Sequence, residues 1–497
     1  LIAVAGEFAY AARYRLGPID DAYIHLRVAH NLASAAGPVF NVGERVEVTS
    51  SPLWTLLLGG LLALGGSEQL VLMLLSTGTA LALGAATALL GFATAGSAAA
   101  LIAPILLALL PSYAAWTGSG METPLALFGL ALSALSALRA RTTADVIRTC
   151  LLAGLLVYVR PESCAWIPAL LGVALWSLPP AQRPRAAAIG LLAWLAPLAL
   201  LFCARFAYFH EWLPNTYYAK VANGGLAQRV HGLKYVGTFL LQHAPYCAAA
   251  VFALRSGNTR VRQLGLICAN VLLSIVWAGG DGFHFARLTL PVLPLVCCMA
   301  AAQLAELRRA PAALRPIAVA ALCVGQVLWI LRGTTEFSNY AGSVAFAENT
   351  KRIGLRMRSL PEGTIATVGI GAIGYFTERP ILDLVGLADK HIARAKRIAF
   401  ARIGHDHVDI DYVLGRRPEF VLPLGWLRDR ALTDETELAA LEEDAGSWAS
   451  ALALLRDPRF RASYVARDYE TEGQHLRVWL RADIAAQQTA EPSVGGR

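Results

Sequence analysis

Apolar stretches of near-membrane length recur along this chain, near residues 68–92, 97–115, 121–138, 147–160, 163–179, 187–208, 235–254, 262–278, 288–306 and 315–332. A bilayer core of roughly 30 Å takes about 20 apolar residues in a helix, because every backbone polar group there must be satisfied within the segment. Soluble domains do not carry such a series, and 56% hydrophobic residues against 16% charged, with a mean hydropathy of +0.50, agree. The chain reads as a polytopic α-helical membrane protein. Residues 1–12, apolar apart from Glu7, are too short to span alone and read as the end of a helix cut short, which makes about 11 transmembrane helices.

The net charge of +8 is a topological signal and does not call for a nucleic-acid partner. Its arginines gather in four connections: Arg139, Arg141 and Arg148; Arg183 and Arg185; Arg255, Arg260 and Arg262; Arg308, Arg309 and Arg315. Only Asp145 and Glu306 oppose them. With the spans above, all four connections fall on one face, which the positive-inside rule makes cytoplasmic. A further span at 52–65 would invert everything after it, so that segment is expected to be re-entrant or interfacial. The eight cysteines lie in or beside apolar segments without metal or disulfide-framework spacing, and read as small apolar fillers.

The outward face then collects the unusual residues. The first outer loop, 13–67, carries Asp20 and Asp21, the run Asn41-Val-Gly-Glu44-Arg45-Val-Glu47, and Thr49-Ser-Ser-Pro-Leu-Trp54. Later loops add Trp116 with Gly118-Ser-Gly-Met-Glu122, Arg160-Pro-Glu162, Leu213-Pro-Asn215-Thr-Tyr217-Tyr218-Ala-Lys220, and Gly279-Gly-Asp281-Gly-Phe-His284-Phe-Ala-Arg287. Polar clusters from five loops on one side point to one site. Plainer readings stand beside that one. Either aspartate of the pair can cap the helix that follows, whose Ile24, Val28 and Leu32 recur at helical spacing. Arg160 and Glu162 fit an interfacial ion pair, while Lys220, Tyr217 and Tyr218 fit a snorkelling anchor with an aromatic belt.

After Leu331 the chain has more charge and no spanning segment, and 333–497 reads as a soluble, outward α/β domain. Thr364 to Val368 and Glu419 to Leu422 have strand character, with helical patterns near Ala345 to Leu360 and Thr433 to Leu455. Gly369-Ile-Gly371-Ala-Ile-Gly374 matches the dinucleotide fingerprint in letters, yet Arg379-Pro380 would break the helix it needs. Close backbone packing explains the glycines better, and no nicotinamide cofactor is expected.

These loops resemble those of the GT-C membrane glycosyltransferases, in particular the group of the mycobacterial terminal β-1,2-arabinofuranosyltransferase. The likeness lies in Asp20-Asp21-Ala-Tyr-Ile-His-Leu-Arg27 with the two runs after it, then Ser119-Gly-Met-Glu-Thr123, Arg160-Pro-Glu162, Leu213 to Lys220, Gly279-Gly-Asp281, Gly371-Ala-Ile-Gly-Tyr375 and Asp383-Leu-Val-Gly-Leu-Ala-Asp389. The resemblance implies a GT-C module over 1–332, a polyprenyl-phosphate sugar donor, a cell-envelope glycan acceptor such as arabinan, and transfer at the outer face of the bacterial cytoplasmic membrane. It also implies an aspartate of the first outer loop as general base in an inverting reaction.

On that reading Asp20 or Asp21 is the catalytic base, Asp20 the preferred one, since two adjacent like charges push their pKa values apart and only one need act. The other orients the acceptor, caps the helix, or binds a divalent cation. Lys220, His284, Arg287 and Arg160 are the candidates for the donor phosphate. Asp281, Glu122 and Asn215 are candidates for sugar or acceptor hydroxyls, with Trp54, Trp116, Tyr217 and Tyr218 as stacking or groove-lining aromatics. A polyprenyl-linked sugar flippase is the rival class, though the charges sit in outer loops and no internal repeat is evident.

Overall fold

The computed structural model describes residues 16–220, 225–306, 334–398 and 404–490, with a few isolated residues between 317 and 328. Of the expected spans, 1–12 lies outside these residues, as does nearly all of 315–332. Among the described residues, four helices are long and apolar enough to cross a bilayer alone: Glu68–Ala95, Pro180–Phe209, Thr259–Ala278 and His284–Glu306. Their outer surfaces carry exposed apolar side chains such as Leu192, Leu200, Leu273 and Trp277, as a lipid-facing surface requires.

Two further expected spans are broken. Ser97–Ala108 and Pro111–Thr117 meet at 70°, and Leu226–Gln242 meets Ala244–Ser256 at 88°. Proline explains both breaks, since Pro111 and Pro245 each stand in the first turn of the second segment, where no backbone N–H is needed. The two breaks touch through a Ser112 Oγ to His243 Nε2 hydrogen bond of 2.9 Å. Counting each bent pair as one span gives up to six crossings among the described residues. The sequence count of eleven therefore requires shorter helices such as Thr123–Arg139, Thr143–Leu156 and Ile167–Trp176 to cross as well.

The segment 52–65 forms a 12-residue helix, Pro52–Ala63, too short to span and buried on one side through Trp54, Thr55, Leu58 and Gly59. It packs on the Asp20–Ala33 helix, which is buried from Ala22 to Ala29.

The C-terminal part is a mixed α/β layer. Strands β1 (Ile365–Thr367), β2 (Ile381–Asp383), β5 (Phe420–Leu422), β6 (Tyr464–Thr471) and β7 (Gln474–Arg481) form one sheet in the order β2-β1-β5-β7-β6. The first three run parallel and the last two join antiparallel. Short β3 (Lys396–Arg397) and β4 (His407–Val408) make a separate pair. Both strands read from the sequence are present, and the helical pattern near 433–455 is two helices, Asp434–Glu442 and Ala449–Arg456. Ile24, Val28, Phe40, Val46 and Val48 of the 13–67 segment share one buried cluster with Ile353, Ile365, Ile373, Phe420, Leu476 and Leu480. The 13–67 segment is thus part of the core of the α/β layer, and that shared core positions the acidic pair.

Candidate active site

Asp20 and Asp21 open the Asp20–Ala33 helix and have different surroundings. Asp20 turns its carboxylate toward the α/β layer. Oδ2 accepts from the Gly371 N–H at 2.9 Å, and Oδ1 accepts from the Ala372 N–H at 2.9 Å and the Thr350 hydroxyl at 3.1 Å. Burial pushes its pKa up to about 6, with the two backbone N–H groups pulling the other way and the Asp21 charge adding to the rise. The Asp21 carboxylate makes no hydrogen bond or ion pair among the described residues. Its negative charge acts on His25, four residues on along the same helix, and on the Arg287 guanidinium, favouring the charged form of each.

Arg287 is held by a tight turn. The Thr259–Ala278 helix ends at Gly279 in the left-handed conformation, and Phe285 and Ala286 take φ values of 58° and 48°, which cost free energy in residues with a side chain. Arg287 Nε donates to Asp281 Oδ2 at 2.5 Å, and the guanidinium lies 3.9 Å from the Phe283 ring centre. Asp281 Oδ1 accepts from Tyr235 Oη at 2.9 Å and the Phe283 N–H at 3.1 Å. Burial raises the Asp281 pKa, but the Arg287 charge and these hydrogen bonds outweigh it and hold the group below its ordinary value. Arg287 Nη1 is buried with no hydrogen-bond partner among the described residues.

A second buried network adjoins this one. Glu122 lies 3.3 Å from Arg160 Nε and 3.8 Å from His25 Nε2, while His25 Nδ1 is 3.0 Å from Thr55 Oγ1. Burial lowers the His25 pKa, with Glu122 and Asp21 opposing, so the imidazole is neutral near pH 7. Burial raises the Glu122 pKa, and the Arg160 charge outweighs it to leave the carboxylate ionised. Arg160 also approaches Glu162 at 3.7 Å, so this cation is already shared by two carboxylates.

Other residues named from the sequence are engaged in contacts of their own, Trp116 against Phe283 and Arg287. Trp54 and Trp116 are each 1% exposed and donate Nε1–H to the Gly120 and His284 carbonyls at 3.1 Å. Both rings are packed and tie loops together, and the Trp116 ring lies 5.2 Å from the Arg287 guanidinium. Asn215 is a clamp: Nδ2 donates to the Gly386 carbonyl at 2.8 Å and the Leu387 carbonyl at 3.0 Å, tying its loop to the α/β layer. Tyr218 lies under Arg394 at 3.9 Å, Tyr217 is partly exposed, and Lys220 lies against Gly404, so among the described residues these three pack away from Arg287. His284 faces the Thr334–Arg358 helix, with Nε2 3.0 Å from Ser343 Oγ and Nδ1 3.9 Å from Glu336. Among the described residues, no group of three His, Cys, Asp or Glu side chains converges as a metal site.

The glycine fingerprint is a packing device. A Cβ on Gly371 would lie 2.0 Å from the Asp20 carbonyl oxygen, and one on Gly374 would lie 2.7 Å from the Phe40 ring. The backbone N–H groups that a pyrophosphate would need are taken by the Asp20 carboxylate. Arg27 completes the seam by donating to the Phe40, Gly374 and Arg379 carbonyls. His25, Arg27, Tyr235 and Thr350 were not singled out from the sequence; a signal existed for His25 and Arg27, which follow Asp21 on one helix.

Comparisons with known proteins bear on this arrangement. Residues 339–483 match a family model described as a Domain of unknown function (DUF8728). ArnT from Cupriavidus metallidurans bound to undecaprenyl phosphate aligns over 97% of both chains with a TM-score of 0.60 at 12% identity. The likeness is one of fold, and the chain has the fold of the GT-C membrane glycosyltransferases. Short stretches also match terminal β-(1→2)-arabinofuranosyltransferases. The Mycobacterium tuberculosis protein is 48% identical over 56 residues, and the Corynebacterium glutamicum protein 51% identical over 51. These stretches cover 11% and 10% of this chain and only 9% and 7% of those relatives.

Proposed function

We propose that this chain is an inverting glycosyltransferase that moves a sugar, with arabinofuranose as first candidate, from a polyprenyl-phosphate donor to a cell-envelope glycan acceptor. Asp21 is the general base in this reading. The observation that carries it is the Asp21 carboxylate, which has no hydrogen bond or ion pair among the described residues and whose charge acts on the buried Arg287 guanidinium, within the fold of a transferase structure that holds undecaprenyl phosphate. The acceptor oxygen attacks the anomeric carbon as Asp21 takes its proton, and the bond from that carbon to the phosphate oxygen breaks with its electron pair leaving on phosphate. Arg287, with a buried Nη1 free to donate, stabilises the departing phosphate. Eleven spans with the arginine-rich loops inside would put this chemistry on the outer face of the cytoplasmic membrane. The sugar is assigned from the short arabinofuranosyltransferase matches.

Purified protein in detergent, given synthetic polyprenyl-phosphate sugars and short glycan acceptors, is expected to yield a product from one donor, read by mass spectrometry. No product from any donor, with lipid binding intact, would overturn the assignment and favour a flippase, which detergent deprives of two leaflets to connect.

A further inference from the structure

The Asp20–Ala33 helix begins without a cap of its own. Its N-cap residue, Ile19, has no side-chain acceptor, and the first carboxylate of the helix points away to another part of the chain. An aspartate in this position ordinarily serves its own helix end. Here all three hydrogen bonds recorded for the Asp20 carboxylate come from residues 350, 371 and 372. On the other side, the Ile19 N–H donates to the Ser119 carbonyl at 3.2 Å, so the first turn is fixed between the membrane part and the α/β layer.

We infer that Thr350 and the Gly371–Ala372 backbone are positioning elements of the transfer centre: by holding Asp20 they set where the helix starts, and so where Asp21 points. The inference rests on Asp21 being the base. It makes the α/β layer a working part of the site, since the centre is complete only while that layer is docked on the Asp20–Ala33 helix. Gly371 is central to the contact. An added Cβ would lie 2.0 Å from the Asp20 carbonyl oxygen and 2.6 Å from Oδ2, so an alanine there must push the carboxylate and the helix start aside. Arg27 and the Phe40–Gly374 contact lie further along the same seam and hold the two parts together when the Asp20 contact alone is disturbed.

The test uses the full chain in detergent with its productive donor and acceptor, comparing Gly371→Ala, Thr350→Val and Thr350→Ser with wild type. Gly371→Ala and Thr350→Val are expected to lower kcat by about tenfold to a hundredfold, the scale of a hydrogen bond to a charged group, with donor KM within about twofold. Thr350→Ser keeps the hydroxyl and is expected to restore kcat to within about threefold of wild type. Melting temperatures separate this from a plain stability effect. Variants that melt early but turn over at the wild-type rate per folded molecule would overturn the inference while leaving the proposed function standing. Absence of transfer by wild type would instead strike the function itself. Should Gly371→Ala fail to fold, the Thr350 pair decides alone.

Discussion

Replacing Asp281 with asparagine keeps the size of the side chain while removing its charge and the acceptor that faces Arg287, which tests what that carboxylate does for Arg287. The Oδ1 side of the new amide can still accept from Tyr235 Oη and the Phe283 N–H. On the other side an N–H₂ group replaces the oxygen that accepts from Arg287 Nε, so a donor faces a donor. A hydrogen bond between charged partners contributes about 1.5–3 kcal/mol, and the buried guanidinium loses its nearest counter-charge, although Glu122 still acts on it. If Arg287 works on the leaving phosphate, about 1.5–3 kcal/mol of lost positioning corresponds to about a 10- to 150-fold fall in kcat/KM. Steady-state transfer with the productive donor measures it, with circular dichroism and thermal unfolding to count folded molecules. An Asp281→Asn protein within twofold of wild-type kcat/KM would refute the reasoning, because Arg287 would then need no anchor or take no part.

Further expectations concern packing and pH. Trp54→Phe loses the bond to the Gly120 carbonyl, which should cost about 1 kcal/mol of stability with donor and acceptor KM unchanged; a large rise in either KM would restore Trp54 as a sugar platform. Burial pushes the Asp383 carboxyl up to about 6 from an ordinary 3.8, against hydrogen bonds from the Val385 and Ala388 N–H groups. Between those values the folded state binds more protons than the unfolded one, so stability falls as pH rises through the window. Asp383→Asn should flatten that fall without abolishing it, because Asp20 titrates in the same range. Melting curves from pH 4 to 7 with identical slopes in both proteins would contradict this.

The sequence exposed those parts of the molecule that solvent and charge make expensive. In an apolar chain Asp281 and Arg287 must find partners, and they find each other six residues apart. The spans Glu68–Ala95 and Thr259–Ala278 were legible because each carries an apolar run of near-membrane length. What the sequence hid depends on long-range contact. The partners of Asp20 lie 330 to 352 residues away, so its engagement and the freedom of Asp21 could not be told apart from their shared position. The bend at His243 escaped notice because hydropathy averages over a break that leaves both halves apolar. The indole rings of Trp54 and Trp116 satisfy a stacking role and a packing role equally well by residue type, and their near-complete burial is set by residues distant in sequence.

The most direct measurement is a side-by-side comparison of Asp21→Asn and Asp20→Asn with the productive donor, each checked for wild-type-like melting. The account predicts that Asp21→Asn lowers kcat by about 10²–10⁴, the scale of a lost general base, and that Asp20→Asn falls only about tenfold to a hundredfold. Near-normal turnover by Asp21→Asn, with Asp20→Asn inactive, would contradict it and move the base to the carboxylate held by Gly371 and Ala372.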